Sequence, residues 1–179
     1  MKTTLLLTAL LLTPGLAPAQ DDPKNINGYG KAVWGMTVPQ VLEAESPRAS
    51  PAAKKDSFGD GAVVLIDIQG IEISGTPFQA RFAFKNDKLT RVQVTTSEDK
   101  RTPGCVNGIT FSSIEQRLTE KYGAPVYRHI TRSDRDVSWT LPKTLINLAY
   151  MEIDGTRYGL GCTSHLNVTY SPVTVNKDL

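Results

Sequence analysis

Two stretches decide how this chain is read. One is Trp34-Gly35-Met36-Thr37-Val38-Pro39-Gln40-Val41; the other is Phe111-Ser112-Ser113-Ile114-Glu115, running on to Lys121-Tyr122-Gly123-Ala124-Pro125. Each has the logic of a helix start. In the first, Thr37 stands as N-cap with Gln40 three residues on, a capping box, and Met36 and Val41 are placed as its hydrophobic staple. Pro39 is tolerated because amides of the first turn have no intrahelical partner. Pro47 and the Pro/Ala/Lys stretch from Ser46 to Lys55 end that helix early. In the second, Ser112 and Glu115 form another box, and Phe111, Ile114, Leu118 and Tyr122 lay down one apolar stripe. Gly123 suits a left-handed position just past the helix, and Pro125 prevents resumption.

Strand patterns follow both. Val63 to Ile68 and Ile71 to Ser74 are β-rich, with Gly70 as a bend or bulge between them. Phe78, Ala80, Phe82 and Phe84 alternate with Gln79, Arg81 and Ala83, the period of a half-buried strand. Asn86-Asp87 reads as a hairpin turn, because both residues tolerate positive φ. Thr90, Val92 and Val94 then alternate in their turn. After the second helix, strand-like runs span Val126 to Thr131, Val137 to Leu141, Leu145 to Ile153 and His165 to Tyr170, with a turn signal at Asp154-Gly155.

The expected fold class is therefore α+β, a tandem helix-plus-antiparallel-sheet repeat with helices packed on one face of the sheet. The expected divisions are a signal peptide over 1–19, an extended lead-in over 20–32, a first half over 33–97, a linker over 98–108, a second half over 109–171 and a polar tail over 172–179.

The N-terminus carries the reading of export. Met1-Lys2 is a positive n-region, Leu5 to Leu12 an apolar run, and Ala17-Pro18-Ala19 a small-residue cleavage site before Gln20. The run falls short of the roughly 20 residues a membrane span needs. No Cys follows it closely, so neither a transmembrane segment nor a lipid anchor is expected, and the chain is placed in the periplasm or outside the cell. Without Lys2 the formal charge of +2 becomes +1. So near-neutral a chain offers no broad field for nucleic acid. Its two cysteines, Cys105 and Cys162, read first as a disulfide in an exported protein, closing a loop that stabilises the fold by up to about 4 kcal/mol. A reactive thiol with His129 or His165 as its base is the competing reading.

Gly35-Met36-Thr37-x-x-Gln40-Val41 resembles the helix-opening motif of the small outer-membrane assembly lipoproteins of the SmpA/BamE type. Leu118-x-x-Lys121-Tyr122-Gly123-x-Pro125 resembles the helix-closing segment of the same proteins. The duplicated helix-plus-sheet order is similar to that of the secreted β-lactamase inhibitory proteins (BLIP-like fold). The resemblance implies helices on one face of an antiparallel sheet and work done by binding other proteins of the cell envelope. It transfers no contact residue and no anchor, and fold analogy alone does not establish function.

Motifs for chemistry are sparse. His129 and His165 each fall inside an expected strand; Asp134, Asp136, Ser133 and Ser138 stand near in sequence, but no G-x-S-x-G elbow occurs. For metal there is neither H-E-x-x-H nor a Cys/His cluster, and Asp56 to Gly61 lacks the spacing and bidentate Glu of a calcium loop. No phosphate-binding loop is present, and no cofactor is expected. Trp34 and Trp139 read as core rather than ligand-stacking residues.

One constellation remains. If Phe78, Phe82, Val92, Val94, Leu166, Val168 and Tyr170 face the helices, the pleat sends Arg81, Arg91, Gln93, His165, Asn167 and Thr169 to the opposite face. That face is polar and locally basic, suited to another envelope or secreted protein, or simply solvated. The functional expectation is an exported, non-enzymatic protein-binding module. A secreted hydrolase inhibitor is a narrower alternative, and an enzyme using His129 or His165 an alternative of another class.

Overall fold

Alternating apolar and polar residues build ten strands among the described residues, eight of them joined in one sheet and two in a short separate hairpin. The computed structural model describes residues 24–96, 108–155, 158–159 and 161–173. The expected signal peptide, Cys105, nearly all of the expected linker and most of the polar tail lie outside the described residues. In chain order the elements are β1 (Gly28–Tyr29), β2 (Ala32–Val33), α1 (Val38–Ala44), β3 (Ala49–Pro51), β4 (Val63–Ile73), β5 (Thr76–Lys85) and β6 (Lys88–Thr96), then α2 (Gly108–Tyr122), β7 (Tyr127–Ile130), β8 (Asp134–Thr140), β9 (Thr144–Asp154) and β10 (Cys162–Pro172). Among the described residues, no helix is long and apolar enough to cross a membrane.

The α+β tandem repeat expected from the sequence is not what the chain builds. The fold is mostly β. Eight strands form a single antiparallel sheet in the order β3-β4-β5-β6-β10-β9-β8-β7, against helices of only 7 and 15 residues. The physical reason is the pairing of β6 with β10, which sets Val94 opposite Val168 and Val92 opposite Tyr170. Two meanders are thereby fused strand to strand, and no separate helix-covered halves exist.

One face of this sheet is the core. Ile66, Ile68, Phe78, Phe82, Val92, Val94, Leu166, Val168, Ile146, Leu148, Val137 and Trp139 are all buried in one cluster, as period-2 alternation requires. α2 adds Phe111, Ile114, Leu118 and Tyr122 to it, and α1 adds Val41. The N-terminal segment supplies the rest of the cover, with Tyr29 edge-on to Phe82 and Tyr170 at centroid distances of 6.0 and 5.1 Å. Both tryptophans are tied in: Trp139 Nε1 donates to the Gly123 carbonyl, and Trp34 Nε1 to Thr144 Oγ1.

Local signals fared unevenly. Asn86 and Asp87 adopt φ of 51° and 59°, the conformation their turn needs, and Gly70 marks a register shift in β4. Thr37 opens α1, its amide donating to Gln40 Oε1 at 2.9 Å. Ser112 does not open α2. That helix begins at Gly108, so Ser112 lies inside it, and Glu115 instead accepts from Arg128 Nε at 2.6 Å.

Candidate functional site

The antiparallel register carries the side chains of the second sheet face in straight rows. One row runs Asp67, Arg81, Gln93, Thr169, Asn147, Ser138, Tyr127, each opposite the next on the neighbouring strand. A second runs Gln79, Thr95, Asn167, Ala149, Asp136, His129. His165 stands opposite Met151, and Arg91 opposite Ala83. All six residues singled out from the sequence therefore share the face turned away from the core.

They do not share one environment. The segment between β3 and β4 folds back over the β4–β6 end of this face. Arg81 Nη2 donates to Asp56 Oδ2 at 2.6 Å and to the Lys54 carbonyl at 3.4 Å, with Asp67 Oδ1 3.7 Å from its Nε. Arg91 Nη2 donates to Asp60 Oδ2 at 3.0 Å, and its guanidinium sits 4.3 Å from the centre of the Phe58 ring. Under the segment, Ala62, Val64 and Ala83 form a small buried cluster against which Ala52 and Phe58 pack. The loop holds its own shape as well: Phe58 N donates to the Ala62 carbonyl, and Ala62 N to Asp60 Oδ1.

Electrostatics follow from these contacts. The hydrogen bond from Arg81 holds the Asp56 carboxyl below the usual carboxylate value, against a smaller opposing effect of desolvation. The amide of Ala62 does the same for Asp60, with Arg91 adding to it. Asp67 moves the other way, because burial raises it more than Arg81 lowers it. The two arginines expected to present free positive charge are thus already engaged by the chain. The residues that sequence reasoning missed here are Asp56, Phe58 and Asp60. Their spacing, an aromatic flanked by acids at two residues on either side, was the available signal.

The remaining half of the face, from β6 across β10, β9 and β8 to β7, carries no such cover among the described residues. It presents Gln93, Thr95, Asn167, Thr169, Asn147 and Ser138, which are partly exposed, and His165, His129 and Tyr127, which are exposed. Asn147 Nδ2 donates to Asp136 Oδ1 at 2.5 Å, and Thr169 Oγ1 to Asn167 Oδ1 at 3.3 Å. Most of these groups both donate and accept hydrogen bonds, and few are charged.

His129 lies on β7 directly across from Asp136, while His165 lies on β10. An open depression of about 610 Å³ is found elsewhere, on the helix side, lined by Ile109, Ser112, Ser113, Gln116 and Arg135. No group of three or more His, Cys, Asp or Glu side chains among the described residues is arranged to hold a metal ion. Cys162 opens β10, and its expected partner Cys105 lies outside the described residues.

Compared with known proteins, the chain matches no family model, no curated protein and no solved structure.

Proposed function

We propose that this chain is an exported, non-enzymatic protein-binding module, and that its partner seats on the open half of the polar sheet face. The observation that carries this reading is the division of that face. The β4–β6 end is filled by the chain's own loop through Asp56, Phe58 and Asp60, whereas the rows through Gln93, Thr169, Asn147 and Asn167 are uncovered among the described residues. A broad, weakly charged surface dense in donors and acceptors suits the polar loop or strand of another protein better than a small molecule, which needs concavity. The apolar run Leu5 to Leu12 and the Ala17-Pro18-Ala19 site support export. The resemblance of the two helix motifs to envelope assembly lipoproteins points in the same direction.

The reading is tested by comparing what is captured from the envelope of source cells by the wild-type chain, by Asn147→Arg/Thr169→Arg, and by Gln116→Arg as a helix-side control. The double substitution should abolish capture of a species that the wild type and the control both retain. Equal capture by all three would overturn the assignment of the face. An intact mass of the exported chain starting anywhere but near Gln20 would overturn the processing reading.

A further inference from the structure

β8 carries a charge where its pattern calls for an apolar side chain. The alternation that buries Val137 and Trp139 puts Arg135 on the same, core-facing side of the sheet, between Ile130 of β7 and Tyr150 of β9. There its guanidinium lies 5.4 Å from the centre of the Phe111 ring and 5.2 Å from that of Tyr150. Its Nε is shut away from solvent without a partner, and among the described residues Arg135 makes no hydrogen bond and no ion pair. The acids of the adjoining segments are engaged elsewhere. Glu115 accepts from Arg128 Nε and Glu152 from the Tyr150 hydroxyl, both at 2.6 Å. A cation partly withdrawn from water is costly unless an anion meets it.

Arg135 also forms one wall of the depression of about 610 Å³ beside α2, a size that suits a small molecule. Of the other lining groups, Ser113 is bonded to Ser74 and Gln116 to Glu120, each at 2.8 Å. That leaves the Ser112 hydroxyl without a partner among the described residues, and Ile109 73% exposed. We propose that this depression binds a small carboxylate carrying a short apolar arm. With Nε enclosed, the reachable donors of Arg135 are its two Nη atoms, a planar fork that matches the two oxygens of a carboxylate end-on. The Phe111 and Tyr150 rings back that fork, and Ser112 Oγ adds a neutral donor. The arm lies along Ile109 and removes apolar surface from water. A phosphate suits the site less, because it meets one cation among the lining residues and leaves Ile109 bare. The depression is on the opposite side of the sheet from the rows through Gln93 and Asn147, so it does not depend on what docks there.

Titration of the chain with hexanoate, followed by two-dimensional NMR, tests the proposal, with hexanamide, acetate and inorganic phosphate as comparison probes. Hexanoate should shift the Arg135 side-chain Nε–H and the Ser112 and Ser113 amides along a saturating curve. Each comparison probe lacks either the carboxylate or the arm, and should bind about tenfold more weakly or less. Arg135→Gln should abolish the response. So should Ser112→Glu, which supplies an acid to the same depression from an exposed helix position. Spectra unchanged by hexanoate, a comparison probe binding as tightly as hexanoate, or a response retained in either natively folded variant would overturn the proposal. If Arg135→Gln fails to fold, Ser112→Glu decides the question.

Discussion

Arg81 and Asp56 face each other at 2.6 Å on the polar side of the sheet, although they lie 25 residues apart in the chain. That contact converts a surface arginine into an anchor: its side chain is 12% exposed, and Asp67 lies on its other side. The consequence is that half of the polar face is an internal surface, sealed by the loop between β3 and β4.

Removing Arg81 should therefore destabilise the fold. In Arg81→Ala the carboxylate of Asp67, itself 6% exposed, loses its neighbouring cation. A cost of about 1–3 kcal/mol is expected for leaving such a group unpaired. Adding Asp67→Asn should recover part of that loss. Urea unfolding of the two singles and the double measures the coupling, and strictly additive effects would contradict it.

Asp56 and Asp67 should bend the pH dependence of stability in opposite directions. Asp56 is held below its ordinary 3.8 by the Arg81 hydrogen bond. Its contribution is complete above that value and is lost as pH falls through the lowered folded one. Asp67 is raised from 3.8 by burial, so its contribution is present below that value and is lost as pH rises through the raised folded one. Denaturation midpoints against pH should show a flatter acid limb for Asp56→Asn. For Asp67→Asn the decline on the rising side should disappear. An unaltered pH profile for both variants would count against the docked loop.

Gly30 should accept no side chain. It sits at φ 60°, and an added Cβ would lie 2.4 Å from Glu45 Oε1. That oxygen is fixed by the amides of Lys31 and Ala32 at 2.6 and 3.1 Å, which ties the β1–β2 hairpin to the end of α1. Gly30→Ala is expected to cost about 1–3 kcal/mol through backbone strain and this clash. A thermal midpoint equal to wild type would mean that the hairpin is not held in this way.

The two helix starts should respond differently to alanine. Thr37→Ala removes a capping residue and should cost about 0.5–2 kcal/mol. Ser112 lies within α2, so Ser112→Ala should be neutral or slightly stabilising, since alanine is the better helix former. Chemical denaturation separates the two, and a loss at Ser112 matching that at Thr37 would argue that the second helix starts later than Gly108.

What could be read from the sequence was local. The Phe78-to-Phe84 alternation, the Asn86-Asp87 turn, the Phe111/Ile114/Leu118/Tyr122 stripe and Gly123 are each set by neighbours within a few residues, and each stands where its pattern put it. The β6–β10 pairing was not legible, because the Val94–Val168 contact spans the chain with no local residue to signal it. Without that pairing the two meanders read as a tandem repeat. The face of Arg81, Arg91, Gln93, His165, Asn167 and Thr169 followed from the pleat, but its occupation did not. In sequence Asp56 to Gly61 reads only as an incomplete calcium loop, because it is the folded sheet that brings Asp56 to Arg81 and Asp60 to Arg91.

Whether the half of the polar face left uncovered among the described residues receives a partner is measured by photo-cross-linking in the envelope of source cells. A photoreactive residue is placed at Asn147 or Thr169 on that face, and at Gln116 on the helix side. A common protein adduct from Asn147 and Thr169 that is absent from Gln116 is expected. Adducts from Gln116 alone, or none from either face position with the chain correctly folded, would contradict it.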